Sequence, residues 1–237
     1  MKSLSISLFN RFEYTKTLFE HLAKCINIED YKIIISCEPV DHIVQFAKGF
    51  LPNQTTVYKN NGILGCQANI FMSIERGFGL GGNFHIHLED DTIPGKDFLQ
   101  YCEWANKKFE KDPEIFSVSG YVNSNNKMQN CWDVKTDNIS LVGKRKHFTP
   151  WGWGIWRNRW QQVKAGWDFG YNNGGWDVNM TNNLRKDRYE IYPKISRIQN
   201  IGALNGVHVK DAEWHNRNHY NEYWIETIGK YSNDYSL

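Results

Sequence analysis

The run YKIIIS at 31–36, with three consecutive isoleucines, constrains this chain more than any other feature. A continuous β-branched stretch without polar alternation belongs to a strand buried on both faces, and such strands sit in parallel sheets covered by helices. The neighbouring segments repeat the pattern. LSISLF (4–9) reads as a strand, and Phe12 to Cys25 follows with Leu18, Phe19, Leu22 and Ala23 at helical spacing. Pro39 to Phe50 is a second helical pattern, TTVYK (55–59) a third strand, Leu64 to Phe78 a third helix ended by GLGG, and FHIHL (84–88) a fourth strand. This β-α-β alternation predicts a mostly parallel central sheet flanked by helices, wound through right-handed crossovers.

Beyond it, Asp97 to Lys111 reads as a helix halted at Asp112-Pro113, and IFSVSGYV (115–122) as a fifth strand. Residues 123–147 are rich in Asn, Lys and Asp and read as a long surface excursion. The remainder alternates Trp- and Gly-rich turns with helical patterns at 157–165 and 178–188. A chain of 237 residues fits one domain, here a nucleotide-binding half (1–122) followed by an acceptor-binding half (123–237).

Composition removes several classes of function. Twenty-eight Lys and Arg against 26 Asp and Glu leave a net charge of +2, which does not suit a general polyanion binder. No apolar run is long enough to span a membrane, and MKSLSISLF is interrupted too soon for a signal peptide, so a soluble, cytoplasmic protein is expected. Cysteines 25, 37, 66, 102 and 131 form no CxxC pair and read as buried free thiols. GLGG does not stand between a strand and a following helix, so a dinucleotide fingerprint is absent. Ten Trp, 12 Tyr and 13 Phe suit sugar rings, and they fill cores equally well.

Glu89-Asp90-Asp91 stands at the carboxyl end of the fourth strand, where open α/β sheets place their ligands. Three adjacent negative charges call for a cation. A hard divalent ion, Mg2+ or Mn2+, would relieve the repulsion and bridge to nucleotide phosphates; an acidic turn solvated by water is the other reading. His215 and His219, at i and i+4 without a third ligand, read as surface residues, while His85 and His87 share one strand face. KRKH (144–147) reads as a solvated loop.

The block HLEDDTIPGKDFLQYCEWANKKFEKDPEIFSVSGYV resembles the centre of the N-acetylglucosaminyltransferase I family (family 13) and related inverting enzymes, including family 2. RFEYTKTLFEHL with YKIIISCEP is similar to the first β-α-β unit of that family, and FTPWGWGIW, GGWD and YPKISR follow in its order. The resemblance implies a GT-A fold and a metal-dependent glycosyltransferase that takes a sugar from a nucleotide-diphosphate donor, UDP-GlcNAc or another UDP-sugar, to an acceptor hydroxyl with inversion. It implies Asp91 as metal ligand, with Glu89 and Asp90 near the ribose and sugar. Asn10 and Arg11 would lie near the base and diphosphate, and Glu38 at the nucleoside. Asn69 stands where the family places a nucleotide-contacting His. Asp177, in the WD position, would be the catalytic base; it also reads as a helix N-cap, a role worth about 1 kcal/mol. His208 is the candidate second metal ligand, known from other GT-A enzymes. Arg197 would cover the diphosphate, and Trp151, Trp153 and Trp176 would wall the acceptor, with a tryptophan-filled core as the alternative. Rival functions are a sugar-nucleotide nucleotidyltransferase, for which FNRFEY lacks a Gly-rich phosphate loop, and a noncatalytic saccharide-binding protein. The acceptor class stays open among glycan, lipid-linked sugar, protein and modified DNA.

Overall fold

The computed structural model describes residues 1–123, 136–204, 209 and 211–237. Strands β1 (Lys2–Leu8), β2 (Tyr31–Cys37), β3 (Thr55–Lys59) and β4 (Phe84–Glu89) alternate with helices α1 (Phe12–Leu22), α2 (Asp41–Lys48) and α3 (Cys66–Gly79). A short β5 (Thr92–Pro94), helix α4 (Phe98–Phe109) and β6 (Ile115–Ser119) complete the first half. The second half contributes β7 (Val142–Arg145), β8 (Trp153–Trp156), α5 (Arg157–Val163), α6 (Trp176–Asn179), β9 (Tyr189–Pro193), β10 (Ile198–Asn200), α7 (Ala212–Asn218) and α8 (Ile225–Ile228).

The main sheet runs β3-β2-β1-β4-β8-β6-β9-β7. The four strands from β3 to β4 are parallel, as the β-branched runs predict, and Ile33, Ile35, Leu4 and Ile6 are fully enclosed. Each such side chain contributes about 1.5–3 kcal/mol by leaving water. The second half departs from the expected turns. WGIW forms β8, antiparallel to both β4 and β6, and VGKR forms β7, antiparallel to β9. The sheet is therefore mixed beyond β4. The reason lies in tertiary pairing: four residues with glycine between two tryptophans carry no strand period of their own, and β4 and β6 supply the partners. KRKH is likewise no solvated loop throughout, because Arg145 is buried against Glu190. The expected helix at 178–188 is one α turn that widens into a π turn at Met180–Leu184.

Two cores cover the sheet. One packs α1, α2 and α4 against it. The other collects Trp153, Trp160, Trp167 and Trp176 with Phe148 under α3 and α5, and Trp167 stacks on Trp176 at 4.8 Å. Among the described residues no helix is long and apolar enough to cross a membrane.

Candidate active site

The parallel pairing sets the site. β1 lies between β2 and β4 with Leu8 opposite Cys37 and Ser7 opposite Glu89, so the chain leaves three neighbouring strands at one edge. That edge carries Asn10 and Arg11 after β1, Glu38 after β2, and Glu89, Asp90 and Asp91 at the end of β4.

Arg11 meets two of the carboxylates. Its Nη1 lies 2.9 Å from Asp91 Oδ2, its Nε donates to Asp90 Oδ2 at 3.2 Å, and its Nη2 pairs with Asp90 Oδ1. Although burial works against its charge, Asp91 and Asp90 hold the guanidinium above its ordinary pKa. Burial pushes Glu89 well above the usual carboxylate range, and the charges of Asp91 and Asp90 add to it, with Asp177 contributing further. Cys25, Cys37 and Cys102 are buried as expected and Cys131 lies outside the described residues, but Cys66, the first residue of α3, is exposed; its thiol is still raised, by partial loss of water around it and then by Glu89, Asp91, Asp177 and Asp90. Four carboxylates from both halves of the chain thus act on one locus, where one guanidinium is paired with two of them.

Asp177 arrives on a braced loop. Asp168 accepts from Asn172 N at 2.9 Å, Asn173 N at 2.7 Å and Gly175 N at 3.2 Å, while Gln67 of α3 accepts from Trp176 N at 3.3 Å. Gly175 has φ +107, and a Cβ there would stand 3.3 Å from Asp177 Oδ1 and 3.4 Å from the Tyr171 ring, so the second glycine of GGWD serves both conformation and space. Asp177 lies inside the first turn of α6, whose N-cap is Gly175, so it is not the cap itself. Tyr171, at φ +56 and 47% exposed, brings its ring to the same glycine that this carboxylate approaches.

On the other flank β10 pairs with β5, and Ile201 N donates to the Asp91 carbonyl at 2.8 Å. His215 Nε2 lies 2.7 Å from Asn200 Oδ1, which also accepts from Gly202 N at 2.9 Å. Sequence reasoning missed Tyr171, Gln67, Asn200 and Gly202. GGWD held a signal for the Tyr171 turn, and nothing local pointed to the rest.

Several expected site residues are placed elsewhere or otherwise employed. Arg197 is fully buried, donating to the Ile195 carbonyl at 2.7 Å and facing Asp97 at 3.4 Å, so it is a core ion pair rather than a diphosphate clamp. Trp153 and Trp176 offer no ring face to a ligand because both lie in the aromatic core. Trp151 is half-buried, edge-on to Tyr121 and His219 at 4.7 Å each. Glu38 spends its oxygens on Leu64 N at 3.0 Å and Gly65 N at 2.8 Å, fixing the loop before α3. Asn69 braces the ends of β1 and β2 through the Leu8 and Ser36 carbonyls. His215 is buried instead of lying at the surface. Asn10 is exposed at the site edge. His208 lies outside the described residues.

Among the described residues no three His, Cys, Asp or Glu side chains are arranged to cage a metal ion. The donor set nevertheless fits a hard divalent cation, since Mg2+-type ions are held by one or two carboxylates plus phosphate oxygens and not by complete protein cages. A groove of about 500 Å³ beside the 60–65 loop is lined by Lys59, Asn61, Leu64, Met72, Arg76 and Phe169 among others. None of the four carboxylates lines it, so charge and hydrogen bonding define the site and that groove does not.

The GNT-I family model matches residues 82–211, more than half of the chain and the part that carries three of these carboxylates and Asp177. The chain belongs to the GNT-I family. This family member has the GT-A fold. S. aureus TarS superposes with TM-score 0.57 at 12% identity over 83% of this chain and 35% of that one. TarS 1-349 in complex with UDP gives 0.55 at 13% identity, covering 81% and 60%. GalNAc-T7 with UDP, GalNAc and Mn2+ gives 0.60 at 11% identity, covering 84% and 43%. The GNT-I family chain therefore spans between about a third and three fifths of the length of these structures. No curated protein sequence matches it.

Proposed function

We propose that this GNT-I family member is an inverting, metal-dependent glycosyltransferase that uses a nucleotide-diphosphate sugar, with UDP as the favoured nucleotide. The observation that carries the reading is Arg11 paired with Asp90 and Asp91 at the carboxyl edge of β1 and β4, with Glu89 next to them in the chain and the charge of Asp177 acting on Glu89. Two structures of the same fold hold UDP, and one of them also holds Mn2+, which supports the donor class and the ion. A noncatalytic saccharide-binding protein would account for the aromatic residues but not for the acidic triplet at the strand end, and two of the tryptophans expected to face sugar, Trp153 and Trp176, are buried.

Asp91 would hold the divalent ion, Mn2+ or Mg2+, and the ion's chemistry is charge neutralisation of the leaving diphosphate. Arg11 and Asn10 orient the diphosphate and base, and Asp90 and Glu89 face ribose and sugar. Asp177 accepts the proton of the acceptor hydroxyl as its oxygen attacks the anomeric carbon and the bond to the diphosphate breaks on the opposite side. Tyr171 and Trp151 supply ring surface toward the acceptor.

Asp91→Ala is expected to abolish Mn2+-dependent binding of UDP measured by calorimetry. An affinity equal to the wild type would remove Asp91 as the ligand. A thermal-shift screen of nucleotide sugars with and without Mn2+ identifies the donor, because a bound ligand stabilises the fold by mass action.

A further inference from the structure

We infer that Arg11 is a built-in counter-ion that occupies the metal-binding face of Asp91 and is exchanged onto the donor diphosphate, making metal and nucleotide binding mutually dependent. The inference rests on the donor-site reading above. Asp91 Oδ2 has two close neighbours. Arg11 Nη1 stands 2.9 Å from it, and the backbone of Gly202 packs so tightly against it that an added Cβ would lie 2.5 Å away. A cation approaching this oxygen meets a guanidinium of like charge already in place. Arg11 is also tied to Asp90 through Nε and Nη2, so a single planar fork bridges both carboxylates.

The lock is made of side chain alone. The start of α1 depends on the Arg11 carbonyl, which accepts from Thr15 N and Thr15 Oγ1, each at 3.0 Å, so the guanidinium can leave without disturbing the helix. Its stem rests over Tyr14, with the guanidinium carbon 5.3 Å from the ring centroid. A diphosphate presents the kind of oxygen pair that a guanidinium fork recognises. When Arg11 moves from the carboxylates to the diphosphate, the cation would take its place on Asp91, while Asp90 gives up its contacts to Nε and Nη2 as the cost of the exchange. Each ligand then raises the affinity of the other by the same factor.

Calorimetry with MnCl2 alone, then with MnCl2 at saturating UDP, on the wild type, Arg11→Gln and Arg11→Lys tests this. With Mn2+ alone, Arg11→Gln is expected to bind about tenfold tighter than the wild type, the competition of roughly one charge-assisted pair. The factor by which UDP raises Mn2+ affinity is expected to fall about tenfold in the same variant. Arg11→Lys, which keeps the charge and loses the fork, is expected to lie between them. Arg11→Gln binding Mn2+ no tighter than the wild type overturns the inference. Arg11→Lys matching the wild type while Arg11→Gln tightens assigns the effect to charge alone and overturns the two-carboxylate lock. Tightening on Mn2+ alone without any UDP effect in the wild type supports the counter-ion and counts against UDP as nucleotide. No Mn2+ binding to any of the three proteins, with or without UDP, overturns both this inference and the donor-site reading. Melting temperatures of the variants confirm that each is folded.

Discussion

A methyl group at position 202 would stand 2.5 Å from Asp91 Oδ2 and 3.2 Å from Asn200 Oδ1, closer than packed atoms tolerate. Gly202→Ala is therefore expected to displace the Asp91 carboxylate and weaken Mn2+-dependent UDP binding by at least about tenfold, at a stability cost of about 1–3 kcal/mol. Unaltered UDP affinity in this variant would show that Asp91 tolerates displacement and is no ligand. Asp177→Asn keeps the size of the side chain and removes the proton acceptor. UDP binding is expected to stay as in the wild type while transfer falls by about 10²–10⁴-fold, the usual worth of a positioned base; wild-type turnover would exclude it from that role. The acidic triplet was legible in sequence because a strand end and like charges are local features. The fates of Arg197, Trp153 and Trp176 were not, because whether a guanidinium or an indole faces a ligand or a core depends on partners such as Asp97 and Trp167, which are distant in the chain.

At the scale of elements, β1 and β4 are joined by more than their ladder. Ser3 and Ser5 meet His85 at 2.8 and 2.7 Å, and Ser5 and Ser7 meet His87 at 2.9 and 3.4 Å, all within the core. Burial drives the pKa of His85 down to about 3 and that of His87 well below its ordinary value. The unfolded chain binds protons on these rings below about pH 6.5 while the folded chain keeps them neutral, so stability rises with pH across this window and is lost on acidification. Each ring contributes a slope of about 1.4 kcal/mol per pH unit. Glu190 and Asp97, whose pKa values burial raises, act in the opposite direction. They do so equally in a His85→Gln variant, so the difference between variant and wild type isolates His85. Denaturant unfolding at pH 7, 6 and 5 is expected to show the variant with the shallower dependence; parallel curves would mean that His85 is not held neutral. The parallel strands around this pair could be read from their β-branched runs. WGIW could not, because its strand character comes from β4 and β6 on either side.

For the whole molecule, the division into a nucleotide-binding half and an acceptor-binding half cuts across the sheet. β6 belongs to residues 1–122, yet both of its neighbours, β8 and β9, come from beyond residue 122. β4 also takes its outer partner, β8, from the second half. A fragment of residues 1–122 would leave β6 without a ladder partner on either side and β4 bare along one edge, with their apolar faces open to water. Across the same boundary Ser117 of β6 donates to Glu190 of β9 at 3.2 Å within the core. The fragment 1–122 alone is expected to aggregate or to melt without a cooperative transition, while the full chain unfolds in one step seen alike by far-UV and near-UV circular dichroism. Independent cooperative melting of the fragment would instead make the first half a domain in its own right. The carboxylate cluster would then depend on docking of two units, because Asp177 comes from the second half of the chain and Glu89, on which its charge acts, from the first.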